Sequence, residues 1–132
     1  MRTAIARREN GRYRHTVTVR DHEVTVDEPE DSGGDDAGPD PQEMLAVSLA
    51  SCTAITIEMY AKRKGWNIGE VEVEVGYEPA QRGSPTKFEM ITRLPKELPE
   101  EQRERLMQIA AKCPVHRTLE GEVMFEEKVE LS

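Results

Sequence analysis

The sequence predicts an α+β fold with the element order β-β-β-α-β-β-α-β in a single domain, residues 1–132. Three observations lead there. An Asn10-Gly11 pair separates two short strand-like runs, which is a strong hairpin signal. Residues 41–65 form one long segment that is apolar or small almost all the way round, with helix-boundary residues at both ends. Residues 69–78 alternate valine with glutamate, the pattern of a strand with one wet face. Adjacent strands joined by short turns imply largely antiparallel pairing, and hence the α+β class.

Taken in order, residues 2–9 and 12–19 read as the first two strands, and Arg20-Asp21 turns the chain into a third, HEVTVDE. Arg7, Arg8, Arg12 and Arg14 crowd this meander and leave it few large apolar side chains. It needs packing against a helix or a partner subunit. Residues 28–40, EPEDSGGDDAGPD, read as an acidic loop with a mobile tip, either a solvated connector or a flap over a site. The long helix opens with Pro41 at its first position and closes on Lys62-Arg63-Lys64 before Gly65. Its all-round apolar surface predicts a helix buried on every side. Residues 87–94 return as a strand, and a second helix starts at Pro99 with Glu100 and Glu101 in its first turn. Residues 122–131 are expected as a last strand, with Val123, Phe125, Val129 and Leu131 on one side and room for a short helix before it.

Composition narrows the function. A chain of 132 residues buries about two-thirds of its extended surface, enough for a modest core. A net charge of −8 argues against a nucleic-acid partner, because phosphate binding needs a basic surface. No window reads as the roughly 18 apolar residues of a membrane span, and the N-terminus carries no secretory signal. A soluble, cytoplasmic protein is expected. The two cysteines match no zinc-ligand spacing, and His15 and His22 add none. The pair can be a structural disulfide or, in a reducing compartment, a redox pair.

Cys52 lies near the middle of the long helix, among Leu45, Ser48, Ile55, Thr56 and Met59 at helical spacing. Burial alone makes a thiol inert, and reactivity needs a nearby cation or donor. A buried structural cysteine is therefore one reading of Cys52 and a reactive site the other. Cys113 precedes Pro114, which can start a short helix, and His116 and Arg117 follow close behind. That position favours a thiolate, although a simple capped turn fits the same residues.

Two stretches together carry a resemblance to a known family. They are Asp27-Glu28-Pro29, Gly33-Gly34, Gly38-Pro39, Pro41, Glu43, Leu45 and Ser51-Cys52-Thr53, followed by CPVHRTLEG from Cys113. This pattern resembles the OsmC/Ohr family of organic hydroperoxide reductases, most closely its OsmC-like branch. The resemblance implies an OsmC-like fold, antiparallel sheets around central cysteine-bearing helices, and an intertwined homodimer with N-terminal strands contributed across subunits. It implies a thiol peroxidase in which Cys52 reacts with the peroxide and Cys113 resolves the resulting sulfenic acid into a Cys52–Cys113 disulfide. An external dithiol restores the thiols, and no cofactor or metal is required. Family peroxidases activate the thiolate with an arginine held by a glutamate. Gln42 stands at the usual glutamate position, while the neighbouring Glu43 matches the OsmC-like branch, and Arg12 beside the first hairpin turn is the best match to the arginine. The alternative is a protein of the same fold that binds a hydrophobic small molecule with little or no peroxidase activity.

Overall fold

The computed structural model describes residues 1–131. The fold is α+β, with a three-stranded antiparallel sheet, a two-stranded sheet and three α-helices. The chain divides into two compact units, residues 1–47 with 77–88 and residues 48–76 with the chain from 89 onward.

In the first unit, β1 (Ile5–Arg8), β2 (His15–Val19) and β3 (His22–Val26) form an antiparallel meander. Ala6 pairs with Val17, and Val17 with Val24, so small and β-branched side chains line one face. That face borders an apolar cavity of about 620 Å³. The β2–β3 turn is the expected tight one, with Val19 opposite His22 and Arg20 at φ 56°. The first hairpin is wider than the Asn10-Gly11 signal predicts. The last pair is Arg8 with His15, and residues 9–14 make the connection. Its tip is drawn to the following loop, where Asp35 accepts bonds from the Arg12 backbone and side chain.

The loop from 28 to 40 is also tighter than its composition implies. Asp27 is only 1% exposed, and its carboxylate accepts from the N–H groups of Glu28 and Ala37. Backbone bonds from Gly34 to Pro29, Asp36 to Glu28 and Asp27 to Pro39 knit the loop further, around a 3-10 turn at Glu30–Ser32. A Cβ on Gly34 would overlap the Glu28 carbonyl, and one on Gly38 would overlap that of Thr25. The glycines serve close packing there, so an acidic, glycine-rich stretch is held by its own hydrogen bonds instead of standing as a mobile tip.

Helix α1 (Pro41–Lys64) starts with a reciprocal cap. Glu43 N–H donates to Asp40 Oδ1 at 2.7 Å, and Asp40 N–H donates to Glu43 Oε1 at 2.9 Å. It ends on Gly65 at φ 73°, with Trp66 N–H donating to the Ala61 carbonyl. By length and composition α1 is apolar enough to span a membrane, which corrects the sequence expectation. Core helices of folded domains meet the same measure, and α1 does pack into a core.

That core lies in the second unit. Ile57, Tyr60 and Ala61 pack with Ile68, Leu98, and Leu106 and Ala110 of α2 (Glu100–Ala110). Arg105 of α2 donates from Nε to the Tyr60 hydroxyl at 2.9 Å, so the one polar atom of that ring is satisfied. Leu106 is fully buried, and Leu106→Ala should cost about 2–5 kcal/mol, read as a lower urea midpoint. Strands β4 (Glu72–Glu78) and β5 (Lys87–Arg93) pair as the second sheet. Arg93 bridges Glu72 and Glu74 at 2.8 and 3.0 Å on the wet face of that sheet.

Two further sequence expectations are corrected. α1 buries one stripe, Leu49, Thr53, Ile57, Tyr60 and Ala61, while Leu45, Ile55 and Met59 are 41%, 53% and 66% exposed. A single chain supplies enough apolar surface to cover one side of the helix only. The expected final strand over 122–131 is also absent. The chain passes through α3 (Pro114–Glu120) and then runs unpaired to residue 131, with Val123, Phe125, Val129 and Leu131 exposed. Its alternation suits a strand, but neither sheet pairs with it.

Candidate active site

The second unit brings the two cysteine segments together. Cys113 is fully buried and serves as N-cap of α3, where its Sγ accepts from the His116 backbone N–H at 3.3 Å. From α1, Thr53 Oγ1 reaches within 3.7 Å of the same sulfur. That hydroxyl also lies 2.8 Å from the Leu49 carbonyl, the shorter and stronger acceptor for its single proton. Its lone pairs therefore face the Cys113 thiol. Both cysteines are free.

Cys52 precedes Thr53 and is turned about 100° from it around the helix axis. It is half-buried, between the core stripe and the exposed apolar stripe of Ile55 and Met59. Cys113 is fully enclosed, as expected, while Cys52 is only partly so. A cavity of about 150 Å³ in the same unit is lined by Thr53, Met90, Thr92, Met107 and His116. His116 Nδ1 lies 2.7 Å from Glu120 Oε1, one turn along α3, an ion-pair contact not aligned as a hydrogen bond.

The two candidate activating residues lie in the first unit. Arg12 is held by the loop, donating to Asp35 Oδ1 from Nε at 3.2 Å and to the Gly34 carbonyl from Nη2 at 2.6 Å. Glu43 is occupied by its cap with Asp40. The arginine is thus held by Asp35 and not by Glu43. Among the described residues no cluster of three His, Cys, Asp or Glu side chains can hold a metal ion.

Sequence reasoning gave Thr53 and Asp27 as motif positions without a role and passed over Asp35. Thr53 belongs to the i, i+4 series Leu49, Thr53, Ile57, but an all-round apolar helix does not reveal which series faces the core. Asp27 opens the Asp-Glu-Pro motif, and its burial was the missing signal. Burial pushes its carboxyl up, but the bonds from Ala37, Glu28 and Asp35 N–H and the Arg14 charge outweigh this, leaving it below the usual range. Asp35 is likewise lowered, by backbone and side-chain bonds from Arg12. Both groups therefore stabilise the folded state above the ordinary carboxylate pKa of about 3.9, and the stability fades as pH falls through their lower folded values. Melting temperature should fall below about pH 4, and Asp27→Asn should flatten that dependence while lowering the melting temperature at pH 7.

Residues 33–128 match the family model for OsmC-like proteins, and the chain belongs to that family. Solved structures of the same fold include an osmotic-stress-induced and detoxification response protein from Psychrobacter arcticus, 23% identical with TM-score 0.77, covering 89% of this chain and 88% of that one. An organic hydroperoxide resistance protein OsmC from Legionella pneumophila is 21% identical with TM-score 0.64, covering 90% of each chain. An organic hydroperoxide resistance protein from Vibrio cholerae, with captopril bound in one of its active sites, is 24% identical with TM-score 0.63, covering 90% and 85%. Comparison with curated proteins gives no match.

Proposed function

We propose that this protein reduces organic hydroperoxides to alcohols through Cys52 and Cys113. The Cys52 thiolate attacks the peroxide, the O–O bond breaks, the alcohol departs and Cys52 is left as a sulfenic acid. The Cys113 sulfur then displaces hydroxide from Cys52, forming the disulfide, and an external dithiol supplies two electrons and two protons to reopen it. The observation that carries this reading is the Thr53–Cys113 contact of 3.7 Å, which brings α1 against Cys113 one residue from Cys52. The exposed apolar stripe beside Cys52 suits an alkyl or aryl peroxide better than hydrogen peroxide. Descriptions of the Legionella and Vibrio proteins as hydroperoxide resistance proteins add support. Arg12, fixed by Asp35, is our candidate for favouring the Cys52 thiolate. The reading needs no cofactor or metal, and it fits a reducing cytoplasm and a homodimer.

A second reading has one observation in its favour. The 620 Å³ cavity against the N-terminal sheet is lined mostly by alanine, valine and methionine, which suits a hydrophobic small molecule. Peroxide consumption driven by a dithiol separates the two. Turnover with cumene and tert-butyl hydroperoxide well above that with hydrogen peroxide supports the reductase. Absence of turnover, with saturable binding of an apolar dye, favours the binding protein.

A further inference from the structure

We propose that the cavity against the N-terminal sheet binds an apolar amine, with Glu28 as the anchor for its ammonium head. The inference rests on the binding reading of that cavity, and it stands whether or not the chain also reduces peroxides. The walls belong to a single unit of the structure. Val17, Val24 and Val26 line it from the sheet, and Pro41 and Met44 from the start of α1. At about 620 Å³ the space lies within the ordinary range of small-molecule pockets. Such walls accept a hydrocarbon body but do not orient it, and orientation comes from a few polar groups.

Asp27 and Glu28 bring the two carboxylates that line this cavity. Both Asp27 oxygens are engaged, Oδ1 by the Glu28 N–H at 2.8 Å and Oδ2 by that of Ala37 at 3.1 Å. Glu28 differs. Its Oε2 is buried, and no donor among the described residues reaches it. Buried polar atoms are nearly always paired, and one left open lowers stability until a partner arrives. A carboxylate only accepts, so that partner must donate an N–H or an O–H.

Charge decides between the two. Residues 27–40 carry seven carboxylates and no lysine or arginine. Arg12, which reaches into this loop, is taken up by Asp35 and the Gly34 carbonyl. The Arg14 charge acts on Asp27. His15 also lines the cavity, with its Nδ1 bound to the Tyr13 carbonyl at 2.8 Å. A cationic head is therefore favoured over a neutral hydroxyl, and a carboxylate head is repelled. The backbone carrying the anchor is already fixed. Asp36 N–H donates to the Glu28 carbonyl at 3.0 Å, and Gly34 packs so closely on that carbonyl that a Cβ would overlap it. A ligand that meets a fixed acceptor avoids the cost of ordering it.

The test is isothermal titration of the full-length protein with decylamine, 1-decanol and decanoate, which share a chain and differ in the head. Decylamine should bind one per chain and about tenfold tighter than decanol, with decanoate weakest. Glu28→Gln keeps the size of the side chain and removes its charge, so it should erase the preference for the amine and leave decanol affinity unchanged. Val24→Phe narrows the cavity and should weaken amine and alcohol alike. The comparison of heads on the wild type needs no variant to fold. Equal affinity for amine and alcohol overturns the inference and leaves the binding reading standing. So does an amine preference that survives in Glu28→Gln, or amine binding that Val24→Phe leaves intact. Binding of none of the three overturns the inference and the binding reading together, and gives the sheet face to another occupant such as a second copy of the chain.

Discussion

Cys52→Ser is expected to abolish hydroperoxide consumption, with a loss of more than about a thousandfold in the rate of the dithiol-driven reaction. The serine hydroxyl is nearly isosteric but holds its proton at neutral pH, and an alcohol does not attack a peroxide O–O bond as a thiolate does. Cys52 is only half-buried and borders the exposed stripe of α1, so the substitution should leave the fold intact. Melting temperature should change little, which separates lost chemistry from lost structure. Cys113→Ser should behave differently. The first oxidation of Cys52 should proceed, and repeated exposure should carry that residue to sulfinic and sulfonic acid because no thiol arrives to trap the sulfenic acid.

Ile55→Glu is expected to split a homodimer. Leu45, Ile55 and Met59 share a stripe of α1 that the single chain leaves open, and the valines and Phe125 of residues 122–131 are exposed as well. Apolar area of this kind is rarely left to water in a stable monomer. A second copy covering it would also give the C-terminal segment a partner for its alternating pattern. Sedimentation should find the wild type at twice the 15.0 kDa chain mass and Ile55→Glu at the chain mass, with a lower melting temperature. A wild type that sediments as a folded monomer at micromolar concentration would remove the dimer from this account.

The elements written in local chemistry were the legible ones. Val71, Val73, Val75 and Tyr77 alternate with exposed residues as a one-sided strand should, and β4 follows them. Pro41 and Gly65 bound α1, and Pro114 opens α3 behind its Cys113 cap. What escaped depends on long-range partners. The wider first hairpin is set by Arg12 bonding Asp35, 23 positions away, which no turn dipeptide encodes. The tightness of residues 28–40 comes from buried Asp27, whereas the composition alone reads as a solvated loop. The side of α1 that meets the core is hidden by apolar residues all round, so the sequence pointed to Cys52 but not to Thr53 as the residue touching Cys113. The last strand failed for the complementary reason, since a period-2 pattern needs an edge to pair with.

The central claim is that Cys52 and Cys113 act as one redox pair, and the most direct measurement is the state of the two sulfurs after a single equivalent of organic hydroperoxide. Their Cα atoms must come within about 7 Å for the bond to close, and the Thr53–Cys113 contact sets Cys52 one residue from the point where α1 touches Cys113. Peptide mapping under non-reducing conditions should recover the segments around Cys52 and Cys113 as one cross-linked species, with both thiols lost together and restored by dithiothreitol. Two free thiols after prolonged exposure to the peroxide would contradict the account.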